Sequence, residues 1–254
     1  MKLKDKVAVV TGSVRGLGWE IAHAYAQEGA KVTICDLDQF LVDKAVERLG
    51  LPSERVLGVK GDVSVEEDVI NSVQRVMSKF HTIDVWVNNA GFAWPREGPW
   101  DLEIVDVPFQ VWSKILGTNL NGVFLCSREA LKIMRLQRKG SIINISSAQG
   151  RRGDPLRGPF CASKFGVEGL TQAMARENVS YEVRINALDP GGRMAVEWQR
   201  KKPSNKGQKM LSPDVIRPCA VYLASDESVG ITGQSLDAAA WNAEHGIELK
   251  YVVI

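Results

Sequence analysis

The sequence predicts an α/β protein: a doubly wound parallel sheet of about seven strands with helices on both faces. Three observations carry that expectation. Short β-branched runs alternate with helical stretches, a Gly-rich turn directly follows the first such run, and neither a linker nor a solenoid-period repeat divides the 254 residues.

Val7-Ala8-Val9-Val10 reads as a strand buried on both faces, because the run is apolar throughout rather than alternating. A helix is expected over 17–29, then a strand at Lys31–Cys35, a helix over 39–49, a strand at Val56–Val59 and a helix over 65–80. Ile83–Val87, Ser141–Ile145 and Val183–Ala187 continue the series, and Ser235–Asp237 supplies a last short strand. Strands separated by helices imply right-handed crossovers and one parallel sheet. The stretch 199–213 is polar, basic and bounded by proline, so it reads as a mobile loop or lid, with a plain solvated loop as the alternative.

Composition narrows the function classes. Hydrophobic residues make up 44% and charged residues 24%, and the formal charge of +2 gives no reason to expect nucleic acid or a membrane as partner. Cys35, Cys126, Cys161 and Cys219 are far apart, which argues for reduced thiols rather than a metal site or disulfides. No apolar run approaches the roughly 20 residues needed to span a bilayer. The charged start Met1–Lys6 leads straight into a strand, unlike a signal peptide, and the expected location is the cytoplasm.

Between Thr11 and Gly18 the spacing is Gly-x-x-x-Gly-x-Gly, with Gly12, Gly16 and Gly18 flanking Arg15 and Leu17. Glycine lets the backbone turn sharply and approach a pyrophosphate, while the helix that follows turns its free N–H groups toward the anion. Asp36 ends the second strand, where a carboxylate accepts from ribose hydroxyls and repels a 2′-phosphate, which favours NAD over NADP. Arg15 pulls the other way, toward NADP. Asp36 or Asp38 could instead cap the next helix.

Together with Asn88-Asn89-Ala90-Gly91, Asn119, Ser147 and Phe160-Cys161-Ala162-Ser163-Lys164, this turn resembles the short-chain dehydrogenase/reductase family, from about residue 5 to about 240. The resemblance implies a Rossmann-type fold over 1–254 as a single dinucleotide-binding domain, with substrate loops at about 92–110, 148–159 and 192–213. It implies an NAD(P)-dependent oxidoreductase that interconverts alcohols and ketones or acts on sugar hydroxyls. Asp62 and Val63 would hold the adenine ring, Asn89, Ala90 and Gly91 would lie along the cofactor, and Pro190 and Gly191 would pack on the nicotinamide. The catalytic positions of the family fall on Asn119 (water relay), Ser147 (substrate oxygen, with Ser146 the other serine), Phe160 (proton donor) and Lys164 (ribose).

At position 160 the family has tyrosine. Phenylalanine has no donor, no acceptor and no pKa, so the resemblance implies an impaired form. Two explanations stand: an introduced isosteric change that would trap a bound substrate, or a natural member that does something other than hydride transfer. Ala195 stands where the family often has Thr, and Asp237-Ala238-Ala239-Ala240 replaces its Asp-Gly-Gly. Two function classes therefore compete with the dehydrogenase: a non-redox lyase or epimerase, and a dinucleotide-binding protein without chemistry.

Substrate-side residues are expected on the loops after the fourth, fifth and sixth strands. Trp94, Arg96 and Trp100, then Gln149, Arg151, Arg152 and Arg157, then Met194 and Trp198 are the candidates. Arginine beside tryptophan suits a polar or acidic small molecule. Apolar faces over 111–135 and 160–177 fit a homotetramer or homodimer, as the family resemblance also implies.

Overall fold

Neighbouring residues of the first strand, β1 (Val7–Thr11), serve opposite layers of the computed structural model, which describes residues 1–94, 101–200 and 205–254 without the side chain of Trp198. Ala8 and Val10 face one apolar core, Val7 and Val9 the other. The remaining strands are β2 (Lys31–Asp36), β3 (Val56–Lys60), β4 (Val85–Asn88), β5 (Gly140–Ile145), β6 (Val183–Asp189), β7 (Lys209–Leu211), β8 (Ser235–Asp237) and β9 (Tyr251–Val253). Seven of them form one parallel sheet in the order β3-β2-β1-β4-β5-β6-β8.

The helices are α1 (Gly16–Gln27), α2 (Gln39–Leu49), α3 (Glu66–Phe80), α4 (Phe109–Leu116), α5 (Gly122–Gln137), α6 (Gly158–Asn178), α7 (Glu197–Arg200), α8 (Arg217–Ala224) and α9 (Ala238–Glu244). Ile21, Val42 and Cys219 place α1, α2 and α8 on the Ala8 face, and Val73, Cys126 and Met174 place α3, α5 and α6 on the Val7 face. The expected doubly wound architecture is therefore present, with each expected element within a residue or two of its observed bounds. Strand order reverses between β1 and β4, and crevices at such a switch point bind ligands at the carboxyl ends of the strands.

The expectation for 199–213 needs correction. Its described part is not an irregular loop: α7 ends at Arg200, and Lys209–Leu211 pairs antiparallel with β9 in a separate two-stranded sheet. Residues 201–204 lie outside the described residues. The helix α9 was not expected either. The Asp237 carboxylate accepts from the Ala240 N–H at 2.9 Å and so caps it. All four cysteines are buried free thiols. Among the described residues no helix is long and apolar enough to cross a membrane.

Candidate active site

The Gly-rich turn is shaped by positive backbone angles and tight neighbours. Gly12 has φ +64 and Gly16 φ +59, and a Cβ on Gly12 would lie 2.8 Å from the Ala90 Cα. A Cβ on Gly18 would strike the Gly12 carbonyl and the Asn89 side chain. Among the described residues, a Cβ on Gly16 would meet only Val196, at 3.8 Å. Asn89 clamps the turn by donating from Nδ2 to the carbonyls of Thr11 (2.8 Å) and Gly12 (2.9 Å). Thr11 Oγ1 in return accepts from the N–H groups of Asn89 and Ala90.

These residues fit a dinucleotide phosphate. The N-terminus of α1 has no acidic residue in its first turn and no side-chain cap among the described residues, so its N–H groups and partial positive charge await an anion. By contrast, Asp38 caps α2 through the N–H groups of Phe40 and Leu41, and α3 carries Glu66, Glu67 and Asp68 in its first turn. Of the two aspartates, Asp38 is thus the cap. Asp36, partly exposed at the end of β2, accepts from the Leu37 N–H at 2.8 Å and reaches the Val14 N–H at 3.5 Å. Arg15 pairs with Glu197 at 2.9 Å. Asp62 closes a local turn onto Ser64, and Val63 packs so closely on the start of α5 that a Cβ on Gly122 would sit 2.8 Å from its methyl group.

A second cluster sits at the ends of β4 and β5. Gly117–Asn121 forms a π-helical turn between α4 and α5, a local irregularity often found at functional sites. It buries Asn119, whose amide both accepts from the Phe92 N–H and donates to the Phe92 carbonyl, each at 3.0 Å, and donates to Ser163 Oγ at 3.1 Å. Ser163 Oγ donates to the Phe160 carbonyl at 2.7 Å. A Cβ on Gly91 would press on the Asn119 amide oxygen at 2.9 Å.

The two serines after β5 have different environments. Ser146 is buried and donates to Glu168 at 2.5 Å, whereas Ser147 is partly exposed and accepts from the Gln149 N–H at 3.3 Å. One turn apart on α6, the partly buried Phe160 ring lies 5.6 Å from Lys164 Nζ, which donates to the Ile145 carbonyl at 2.6 Å. Burial brings the Lys164 ammonium down to about 8, against the opposing pull of Asp189 and Glu168. Pro190 is buried, and Gly191 (φ +90) donates its N–H to Asp189 at 3.0 Å. Ala195 is buried, with its N–H bound to the Leu211 carbonyl.

The expected substrate-side residues meet partners that sequence reasoning missed. Arg151 donates to Asp189 at 2.6 Å and to Ser235 at 2.8 Å, and lies 3.5 Å from Glu168. Those partners sit 17 to 84 positions away on other elements, so no local sequence signal points to them. Burial raises the Asp189 carboxyl, while the Gly191 N–H and Arg151 oppose the rise. Arg157 pairs with Asp101 at 2.9 Å, Arg152 approaches Asp154 at 3.5 Å, and Gln149 donates to Asp154 at 2.5 Å. Trp94 is buried with its indole N–H unpartnered among the described residues, and Met194 is buried. Arg96, Trp100 and the Trp198 side chain fall outside the described residues.

A seven-stranded parallel sheet covered by helices on both faces, with a glycine-rich turn after its first strand, defines a Rossmann-type α/β scaffold. Comparison with known proteins agrees: residues 6–206 match the short chain dehydrogenase family, and the chain belongs to it. It is 34% identical over 244 residues to a 3-oxoacyl-(acyl-carrier-protein) reductase FabG of Thermotoga maritima, covering 92% of this chain and 96% of that one. Similarity of 34% over 247 residues extends to an uncharacterized oxidoreductase of the same organism, covering 91% and 93% of the two chains. A FabG reductase of Chlamydia trachomatis is 32% identical over 246 residues, covering 92% and 96%.

Proposed function

We propose that this chain binds NAD in preference to NADP and interconverts a hydroxyl and a carbonyl on a small polar molecule, with its proton step impaired by Phe160. The observation that carries the reading is the Phe160–Lys164 pair: a buried lysine one helical turn from a ring without an oxygen, with buried Asn119 hydrogen-bonded to the intervening Ser163. A bound nicotinamide would supply or accept the hydride. Ser147, left free of Glu168, would hold the substrate oxygen. Lys164 Nζ would hold ribose hydroxyls, and Asn119 fixes the Phe92 backbone at the rim of the site. Phe160 excludes water from its side of the site but has no proton to give, and loss of a general acid lowers rates by about 10²–10⁴-fold.

Asp36 supports NAD, since it stands uncapped by helix duties at the end of β2, and Arg15 supports it too because Glu197 already holds the guanidinium. Arg151, Arg157 and Arg152 are matched with Asp189, Asp101 and Asp154, which favours a polar substrate over a strongly acidic one. Exposed Phe124 on α5 and Phe165 on α6 support assembly as a homotetramer or homodimer through those helices. The four buried thiols suit a reducing compartment such as the cytoplasm.

The test assays the chain beside its Phe160→Tyr variant on alcohols, sugars and a 3-oxoacyl thioester, following both nicotinamide absorbance and product. Turnover restored by tyrosine supports the proposal. Conversion by the unaltered chain with no absorbance change would replace it with a lyase or epimerase, and inert substrates with either residue would leave a dinucleotide-binding protein.

A further inference from the structure

The segment after β6 forms a roof over the Gly-rich turn. Val196 lies against Gly16, Glu197 pairs with Arg15, and Leu17 and Val196 pack on a small apolar cluster of Met194, Leu211, Val215 and Ala239. What holds this roof is backbone pairing with β7. Leu211 donates its N–H to the Arg193 carbonyl at 3.0 Å and accepts from the Ala195 N–H at 2.8 Å. The other edge of β7 is occupied by β9, in the register Lys209↔Val253, Met210↔Val252 and Leu211↔Tyr251. Flanking bonds lengthen the ladder: Ser212 N–H to the Lys250 carbonyl at 2.8 Å and Ile254 N–H to the Gln208 carbonyl at 3.2 Å. Residues 193–195, β7 and β9 thus make a three-layer ribbon, with the roof at one edge and β9 at the other.

The ribbon has few other anchors. Tyr251 and Val253 are 48% and 67% exposed, and β9 touches no strand but β7 among the described residues, so its docking depends on that ladder. A two-stranded ribbon alone is only marginally stable in water, which makes β9 the part of this assembly that can loosen without opening the main sheet.

Resting on the proposal that the mouth binds a dinucleotide, we infer that β9 is a positioning element for its phosphate and nicotinamide half: by pairing with β7 it holds residues 193–197 over the Gly-rich turn. Residues that are ordered before binding need not be ordered by the ligand, so the entropic cost of fixing their backbone does not fall on the binding step. The adenosine half is assigned to Asp36, which ends β2; that strand pairs with β1 and β3 of the main sheet and not with the ribbon.

The experiment compares NADH with AMP, which lacks the second phosphate and the nicotinamide. Affinities are measured by calorimetry and by displacement for the unaltered chain, for Val252→Pro, and for a chain lacking residues 250–254. Residues 250 and 254 bond to Ser212 and Gln208, on either side of β7, and alternate residues of an antiparallel ladder bond to the same partner strand, so Val252 opposite Met210 does as well and proline there removes a ladder donor. The expected result is about a tenfold loss of NADH affinity, or about 1.4 kcal/mol, with AMP affinity unchanged. Equal losses for NADH and AMP would mark a general loosening and overturn the inference, as would unchanged NADH affinity in both variants. If the unaltered chain itself bound neither ligand, the dinucleotide reading would fail first and take this inference with it.

Discussion

The Gly-rich end and the Phe160 end of the same sheet edge are built by different means. At the first, backbone does the work: positive φ at Gly12 and Gly16, close approach at Gly18, and the uncapped start of α1, all clamped by one amide of Asn89. At the second, on the proposed function, single side-chain atoms would decide the outcome: Ser147 Oγ, Lys164 Nζ, the Asn119 amide and the oxygen that Phe160 lacks. A site made of backbone survives most substitutions outside its glycines. A site made of individual functional groups can lose its chemistry through one atom while its shape persists, because Phe and Tyr fill nearly the same volume. Affinity for cofactor and capacity for turnover are therefore separable here.

The largest expected effect breaks that separation from the chemical side. Phe160→Tyr should raise turnover by about 10²–10⁴-fold while cofactor affinity, measured by calorimetry, stays within a few-fold. The next concerns Lys164. Its folded-state value of about 8 lies below the ordinary 10.5, so the folded protein releases this proton before the unfolded chain does. Stability should then rise with pH between about 8 and 10.5, and below 8 the buried ammonium counts against the fold by roughly 3 kcal/mol at most. Denaturant midpoints taken from pH 7 to pH 10 should show this rise in the unaltered chain and a flatter profile in Lys164→Met.

From the backbone side, Gly18→Ala forces a Cβ against the Gly12 carbonyl and should remove detectable dinucleotide binding while costing about 1–3 kcal/mol of stability. Calorimetry and thermal melts read the two effects apart. The smallest effect is expected at Arg151. Replacing it with methionine leaves Asp189 and Glu168 without their shared cation, but its side chain is 41% exposed, so the loss should stay at about 1–2 kcal/mol rather than the value for a fully buried pair. A chemical-denaturation shift well beyond that would mean the network also holds the loop that carries Ser147.

The main sheet was legible because its strands are continuous β-branched runs and their partners follow at regular intervals. The Gly-rich turn was legible because its chemistry is local: the glycines, the strand before and the helix after are contiguous. What escaped sequence reasoning is non-local or short. Lys209–Leu211 and Tyr251–Val253 are three-residue strands that pair across some forty intervening positions, and neither has a pattern of its own. Arg151 reads as a free loop cation until Asp189, Glu168 and Ser235 are brought around it from three other elements. The choice between Asp36 and Asp38 as helix cap also needed coordinates, since either aspartate precedes the helix closely enough to serve. Ser147 over Ser146 was read from the family pattern alone, and the bond from Ser146 to Glu168 was not legible in the sequence because it joins two elements 22 positions apart.

One titration bears most directly on the central claim of an intact cofactor cradle beside a disarmed proton site. NADH is added to the purified, unaltered chain in a calorimeter, and NADPH in a parallel run. The account predicts saturable one-site binding, tighter for NADH, from a protein that turns over slowly or not at all. Heat-silent titrations with both dinucleotides at millimolar concentration would contradict it.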